Sequence, residues 1–144
     1  MPHCYLLAVA SASSLDQQSN NVSLFNLVEQ VNVPPGAPPP PGGLIPLEVH
    51  AYFQLAPVEV GQPFDVRFAM TASTGLETFS EVFTHRSATP RYRTRIIGLP
   101  FPPVPDQYQL HLDWRSGASD SWTRAPAAWP VLITELVQRP AVTH

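Results

Sequence analysis

The sequence predicts an all-β protein, and three observations support that fold class. Apolar residues make up 44% of the 144 residues and charged residues only 13%, which suits one compact domain with a sizeable core. Eighteen prolines are spread along the chain and leave few windows for a long helix. Short runs of alternating or β-branched apolar residues dominate instead. We therefore expect a single antiparallel two-sheet β-sandwich, immunoglobulin-like or similar, with about seven to eight strands.

The strands follow from the alternation of apolar and polar residues. They are expected near residues 3–10, 22–33, 47–55, 64–72, 78–86, 91–99, 106–114 and 129–137. LEVHAYFQL is the clearest, because Leu47, Val49 and Phe53 share one face of it. The same alternation in 106–114 directs Trp114 inward. The segment 22–33 is apolar on both faces, which predicts a central strand or a bulge.

A proline- and glycine-rich loop at residues 34–43, within VPPGAPPPPGG, raises the question of a domain boundary. A linker there would leave two strands isolated before it, and a two-stranded piece is not stable alone. We therefore expect one domain over residues 1–137 that contains this loop, followed by a flexible tail at 138–144. A polyproline ligand for a partner's groove is the alternative interpretation of the loop.

Composition excludes several classes of function. A net charge of −3 does not favour nucleic-acid binding. No segment approaches the roughly 20 apolar residues of a membrane-spanning helix, and the start lacks the basic leader of a secretory signal. A cytoplasmic location is expected. All eight basic residues are arginine, a usage typical of GC-rich bacterial genomes. The single cysteine, Cys4, predicts a small buried hydrophobe and no internal disulfide.

The order of these segments resembles a bacterial family of uncharacterised β-sandwich domains of similar length. The likeness rests on VSLFNLVEQV, LEVHAYFQL, EVGQPFDVRF and GLPFPPVPDQYQLHLDW, and covers roughly residues 4–136. In the last phrase a glycine–aromatic–proline run precedes an extended strand. The resemblance implies an immunoglobulin-like or similar sandwich, and it implies no activity and no functional residues. Family members have a small turn where this chain has the longer loop at 34–43.

Arginines alternate in RYRTR, so Arg91, Arg93 and Arg95 are expected to lie on one face of a strand. With His85 and Arg86 just before the turn, they predict a stripe that binds phosphate, sulfate or an acidic partner. The alternative is cross-strand pairing of these arginines with Glu77 and Glu81 on the neighbouring strand.

Catalytic and metal-binding patterns are not found in the sequence. His50, His85 and His111 stand in no metal-ligand spacing, and His111 with Asp113 is expected on a solvated polar face. There is no nucleophile motif and no phosphate-cradling glycine loop. No catalytic residue, cofactor or metal is therefore expected.

Trp122 lies in the polar segment ASDSWTR and is the best candidate for an exposed aromatic that stacks on a sugar. The alternative is that its ring packs back on its own hairpin. We expect a non-catalytic protein–protein interaction or assembly module that binds another protein or itself, and homo-oligomerisation through an edge strand fits this. A small-ligand or carbohydrate-binding module that uses Trp122 is the alternative function.

Overall fold

The computed structural model describes residues 2–36, 44–100 and 104–135. Within them the chain forms ten strands and one short 3-10 turn at Pro57–Glu59. The strands are β1 (His3–Asp16), β2 (Asn21–Leu27), β3 (Gln30–Val33), β4 (Leu44–Gln54), β5 (Phe64–Thr71), β6 (Glu77–Phe79), β7 (Phe83–His85), β8 (Arg91–Pro100), β9 (Asp106–Arg115) and β10 (Thr123–Glu135). The predicted all-β fold class is confirmed.

The strands form two packed sheets, as a β-sandwich requires. The four-stranded sheet has the order β2-β1-β4-β8. The six-stranded sheet has the order β3-β10-β9-β5-β6, and β7 also pairs with β5. Neighbouring strands are antiparallel with one exception, the parallel pair β3–β10. Pairing of β4 with β8, and of β9 with both β5 and β10, matches the B–E and C–F–G neighbours of immunoglobulin domains.

The core lies between the two sheets and takes side chains from both. Phe53 and Val49 come from β4, and Met70, Leu110 and Leu112 come from β5 and β9; all five are fully buried. Each alternates with a residue on the outer face of its sheet, as the sequence predicted. Trp114 is only partly buried and packs against the edge of this core.

Tyr108 forms a tyrosine corner at the start of β9. Its hydroxyl donates a hydrogen bond to the backbone carbonyl of Val104, while its ring is buried in the core. Immunoglobulin-type sandwiches carry a tyrosine with the same bond near the start of the corresponding strand. Leu110, two residues further on, is fully buried in the core. Cys4 is a buried free thiol.

The first hairpin is longer than the sequence predicted. The stretch left between the strands expected near 3–10 and 22–33 is instead strand as far as Asp16, and the turn that joins β1 to β2 is confined to residues 17–20. Asp16 closes this turn, since its Oδ1 accepts the backbone N–H of Gln18 at 3.0 Å. Asn20 then takes the left-handed backbone conformation, with φ of 58°.

The predicted strand 22–33 is wrong as one element, because the chain changes sheets at Val28. The amide of Val28 donates to Val9 in the four-stranded sheet at 2.8 Å. Its carbonyl accepts Nε1 of Trp129 in the six-stranded sheet, also at 2.8 Å. β2 and β3 are therefore outer strands of different sheets, which explains why 22–33 is apolar on both faces without being central.

The predicted strand 78–86 is also interrupted. β6 and β7 both pair with β5, but Ser80 stands between them and bonds to Phe68 through its side chain as well as its backbone. The Ser80 hydroxyl accepts the N–H of Phe68 at 2.8 Å, so a side chain replaces one bond of the ladder. The final strand begins at Thr123, earlier than the predicted residue 129.

Strands on both sides of residues 34–43 belong to the same sheets. β1 precedes this stretch and pairs with β4, which follows it. β3 likewise pairs with β10. The stretch therefore connects two strands of one sandwich. Its residues 37–43, and the predicted tail at 138–144, lie outside the described residues.

Candidate functional site

The arginine stripe lies on the outer face of the four-stranded sheet. Arg91, Arg93 and Arg95 alternate along β8 with the inward-facing Tyr92 and Ile96, which pack against the core. β8 ends the sheet and pairs with β4, so that Tyr52 lies opposite Arg93 and His50 opposite Arg95. In the structure the three arginines share one face of β8, as their alternation predicted.

The alternative prediction, that the stripe pairs with Glu77 and Glu81 on a neighbouring strand, is wrong. The chain crosses from the six-stranded sheet to the four-stranded sheet between β7 and β8. β8 and β6 therefore belong to different sheets and are not neighbouring strands. Glu77 instead accepts Nη1 of Arg124 at 2.6 Å. Arg95 binds Glu48 on β4, again at 2.6 Å.

His85 and Arg86 lie apart from the stripe. The imidazole of His85 points between the sheets, where its Nδ1 lies 2.9 Å from the hydroxyl of Tyr92. It packs among the rings of Phe64, Phe83 and Tyr92. Arg86 is exposed after the end of β7, in the other sheet. The stripe therefore consists of the three arginines of β8.

The β1–β2 hairpin bends over the outer face that carries this stripe. Near its middle, the Ser13 hydroxyl donates to Oε1 of Glu48 at 2.7 Å. At its tip, the Asn20 carbonyl accepts Nη2 of Arg93 at 2.6 Å. Ala8 and Ala10 also face outward, opposite His50 and Glu48, yet they are fully buried and outside the inter-sheet core. Their small side chains leave room for the hairpin.

A groove remains between the hairpin and the sheet, in two connected compartments. The inner one has a volume of about 330 Å³ and the outer one about 880 Å³. They share Asn20 and Val22 of the hairpin with Tyr52 and Arg93 of the sheet. Arg95 and His50 line the inner compartment, and Arg91 lines the outer one. We call this the arginine groove.

The electrostatics of the arginine groove are positive. Among the described residues that line it, none is a carboxylate. Glu48 lies beneath it, buried, and its Oε1 accepts from Ser13, from Nε of Arg95 at 2.6 Å and from His50 at 3.2 Å. The Ser13 hydroxyl and then the Arg95 guanidinium hold the pKa of Glu48 below its usual range. Glu48 therefore balances one arginine of the three.

His50 adds no charge to the groove near neutral pH. Its side chain is 3% exposed, and burial lowers the pKa of its imidazole against the opposing pull of Glu48. Arg93 lies over the ring of Tyr52, with Cζ 5.7 Å from the ring centroid. The cations of the groove are thus the guanidinium groups, which bind carboxylates and phosphates in bidentate fashion.

A nucleophilic triad uses the same residue types as the cluster of Ser13, Glu48 and His50. In a triad the serine hydroxyl bonds to the histidine, which is not the arrangement here. The Ser13 proton is directed at Glu48, and His50 also contacts Glu48. An activated serine needs its hydroxyl bonded to a competent base, and the lowered pKa makes this carboxylate a weak one. The cluster instead fastens the hairpin to the sheet.

The outer face of the six-stranded sheet is charged but balanced. Asp113 is buried and binds Arg67 at 3.0 Å and Arg124 at 2.9 Å. Asp65 binds Arg115 at 3.0 Å. The solvated face expected around Asp113 is therefore wrong, because arginines of β5 and β10 close over it. Within residues 2–36, 44–100 and 104–135, no group of three or more His, Cys, Asp or Glu side chains is placed to hold a metal ion.

Trp122 packs on this balanced face. The guanidinium carbons of Arg115 and Arg67 lie 4.3 and 4.4 Å from the centroid of its ring system. The second guanidinium also covers Phe79 at 4.0 Å. The indole is partly buried and its ring face is engaged by cations. A sugar would have to displace an arginine in order to stack there.

Sequence reasoning found the arginines and missed the hairpin that covers them. No sequence motif pointed to the residues that join the hairpin to the sheet, which are Ser13, Asn20, Glu48 and His50. The available signal was the pair Ala8 and Ala10, which are small apolar residues at outward positions of a strand and indicate that something packs over them.

Comparison with known proteins does not assign this chain to a family. No protein-family model matches the sequence, and no curated protein or solved structure matches it. The resemblance to bacterial β-sandwich domains stays a prediction. In the part of the chain that is described, no helix is long and apolar enough to cross a membrane.

Proposed function

We propose that this protein is a non-catalytic interaction module that binds an acidic segment of a partner protein in the arginine groove. The observation that carries this proposal is the imbalance of charge there. Within the described residues, neither Arg91 nor Arg93 has a carboxylate partner, although both line the groove. On the outer face of the six-stranded sheet, by contrast, Arg67, Arg115 and Arg124 are each paired with a carboxylate.

Two further properties support an acidic protein partner. The chain as a whole carries a net charge of −3, so a cationic patch is a local exception and not a consequence of composition. Such a patch steers negatively charged groups toward itself and orients them on arrival. The lining of the groove also follows β8 from Arg91 to Arg95, which suits an extended segment better than a compact ligand.

The proposal is tested with a fluorescein-labelled, end-capped peptide of four Glu-Thr repeats. We expect saturable binding in fluorescence anisotropy, with an affinity that falls as salt is added. The double variant Arg91→Gln, Arg93→Gln should bind at least about fivefold more weakly, since each exposed ion pair contributes about 0.5 kcal/mol. Arg86→Gln removes an exposed arginine outside the groove and should bind as the parent does.

A matched peptide with Gln in place of Glu controls for backbone and label, and we expect it not to bind. The proposal is wrong if the Glu peptide shows no saturation up to about 1 mM at low salt, or if Arg86→Gln weakens binding as much as the double variant does. The remaining possibility is that the partner is a second copy of this chain, and light scattering over a range of concentrations tests it. A stable dimer that dissociates on charge reversal of Arg91 would make a second copy the partner.

A further inference from the structure

The exposed edge of β8 suggests how a partner segment binds. In the described part of the chain, β8 pairs with β4 alone, and its other edge is open. We propose that the backbone of the acidic segment adds to this edge as a fifth strand, antiparallel to β8, so that its carboxylates lie on the outer face beside the arginines that line the groove. This inference rests on the proposed function and specifies its geometry. Strand addition of this kind is a recurrent mode of peptide recognition.

The other outer strands are poorly suited to an added strand. β3 has four residues, and β6 and β7 have three each. β2 is interrupted by Asn26, which has a positive φ of 55°. Short or kinked edges of this type prevent strand addition. β8 has ten residues, and no proline or glycine interrupts it from Arg91 to Ile97.

The direction of the backbone groups fixes which residues of β8 face the open edge. The carbonyl of Pro90 accepts the amide of Leu55, so it points toward β4. Backbone groups alternate in direction along a strand, so those of Tyr92 and Thr94 also point to β4. Those of Arg93 and Arg95 then point outward. The carbonyl of Arg91 is already bonded to the Thr89 hydroxyl at 2.8 Å, so the added ladder begins at Arg93.

The charge on this edge selects the partner. In an antiparallel pairing of two copies, the arginines of one β8 would face those of the other, and like charges opposite each other are destabilising. An acidic strand has the reverse effect, because directly opposite side chains have Cβ atoms about 4.5–5.5 Å apart. The side chain of Arg95 is 55% exposed and so remains accessible to a partner.

The pattern of the partner follows from the outward residues of β8. Ile97 continues the stripe after Arg95 and is 62% exposed. An antiparallel strand therefore needs an apolar residue first and then carboxylates at every second position. The end-capped heptapeptide Leu-Thr-Glu-Thr-Glu-Thr-Glu has this pattern. We expect it to bind more tightly than its reversed sequence, which presents the same groups in parallel orientation.

Backbone methylation provides the decisive experiment. The first two Glu of the heptapeptide lie opposite Arg95 and Arg93, and their N–H groups point at β8. Methylating these two nitrogens should weaken binding at least about tenfold, since two hydrogen bonds are lost. Methylating the second and third Thr, whose N–H groups point away, should change binding by less than about threefold. The two peptides have the same composition, charge and number of methyl groups.

The outcomes separate this inference from the proposed function. If both methylated peptides bind like the parent peptide, and binding still falls in the variant Arg91→Gln, Arg93→Gln, the acidic segment is bound by side chains alone and strand addition is wrong. Greater loss with the Thr-methylated peptide would also overturn the proposed alignment of the peptide on β8. If the parent peptide does not bind, the proposed function itself fails. Tighter binding of the reversed sequence would refute the antiparallel orientation.

Discussion

The guanidinium of Arg93 donates a 2.6 Å hydrogen bond to the backbone carbonyl of Asn20, which lies 73 residues earlier in the chain. This bond joins the tip of the β1–β2 hairpin to the outermost strand of its sheet. In the order of the sheet, β4 lies between this hairpin and β8. The contact closes one side of the arginine groove and fastens an arginine of the stripe to the hairpin.

Loss of that contact should loosen the hairpin tip. We expect Arg93→Gln to speed hydrogen exchange at the amides of residues 19–22 by up to about fivefold, since a partly exposed bond of this kind contributes up to about 1 kcal/mol. Exchange measured by mass spectrometry checks this. Arg91→Gln is the control, because no contact joins Arg91 to the hairpin carbonyl. Equal exchange in both variants would contradict the role assigned to Arg93.

Ser13→Ala should destabilise the protein in a pH-dependent way. The Ser13 hydroxyl is the main cause of the lowered pKa of Glu48. A carboxyl with a lowered folded pKa stabilises the fold above its unfolded pKa, and this contribution is lost as the pH falls through the folded value. We therefore expect a loss of about 1–2 kcal/mol at pH 7 and a smaller one in acid. Denaturant unfolding at both pH values measures this, and an equal loss at each would contradict it.

His85→Phe should stabilise the protein, and more so in mild acid. Nε2 of His85 is buried without a hydrogen-bond partner among the described residues. Burial lowers the pKa of this imidazole, with Asp65 opposing the shift. The unfolded chain therefore binds a proton that the folded protein does not, and stability falls as the pH drops below about 6.5.

Phe fits the ring cluster of Phe64, Phe83 and Tyr92 and does not titrate. We expect the difference in melting temperature between His85→Phe and the parent to grow from pH 7.5 to pH 5.5. The loss of the Tyr92 contact works against this gain at every pH. A difference that shrinks in mild acid would show that His85 is protonated in the fold.

Tyr108→Phe should cost about 1–2 kcal/mol of folding stability, which is the usual effect of removing a buried hydrogen bond. The hydroxyl of Tyr108 fixes the connection that enters β9 by bonding to Val104, and Phe keeps the ring while losing that bond. Tyr5→Phe is the matched control, because Tyr5 is about half exposed. Chemical denaturation compares the two. Equal effects would mean that the tyrosine corner contributes no stability.

The alternation of side chains could be predicted well from the sequence. Leu47, Val49 and Phe53 of β4 pack inward or against the core as expected, and Leu110 and Leu112 do so in β9. The reason is local: successive side chains of a strand point to opposite faces, so the period of the sequence fixes which residues share a face. The common face of Arg91, Arg93 and Arg95 follows from the same rule.

The neighbours of each strand could not be predicted in this way. Residues 22–33 and 78–86 read as single strands, because the bends at Val28 and Ser80 depend on bonds to Trp129 and Phe68, which are distant in sequence or lie on another strand. The crossing of the chain between sheets before β8 likewise moved Glu77 away from the arginines.

The sequence by itself determined that this protein is a β-sandwich and that three arginines share one face of a strand, because both follow from a two-residue period. Only the tertiary structure decided that Glu48 and not Glu77 binds Arg95, and that a hairpin ending at Asn20 covers the stripe. Partners across strands depend on the order of strands in the sheets. That order is set by packing of the whole chain, which no local pattern encodes.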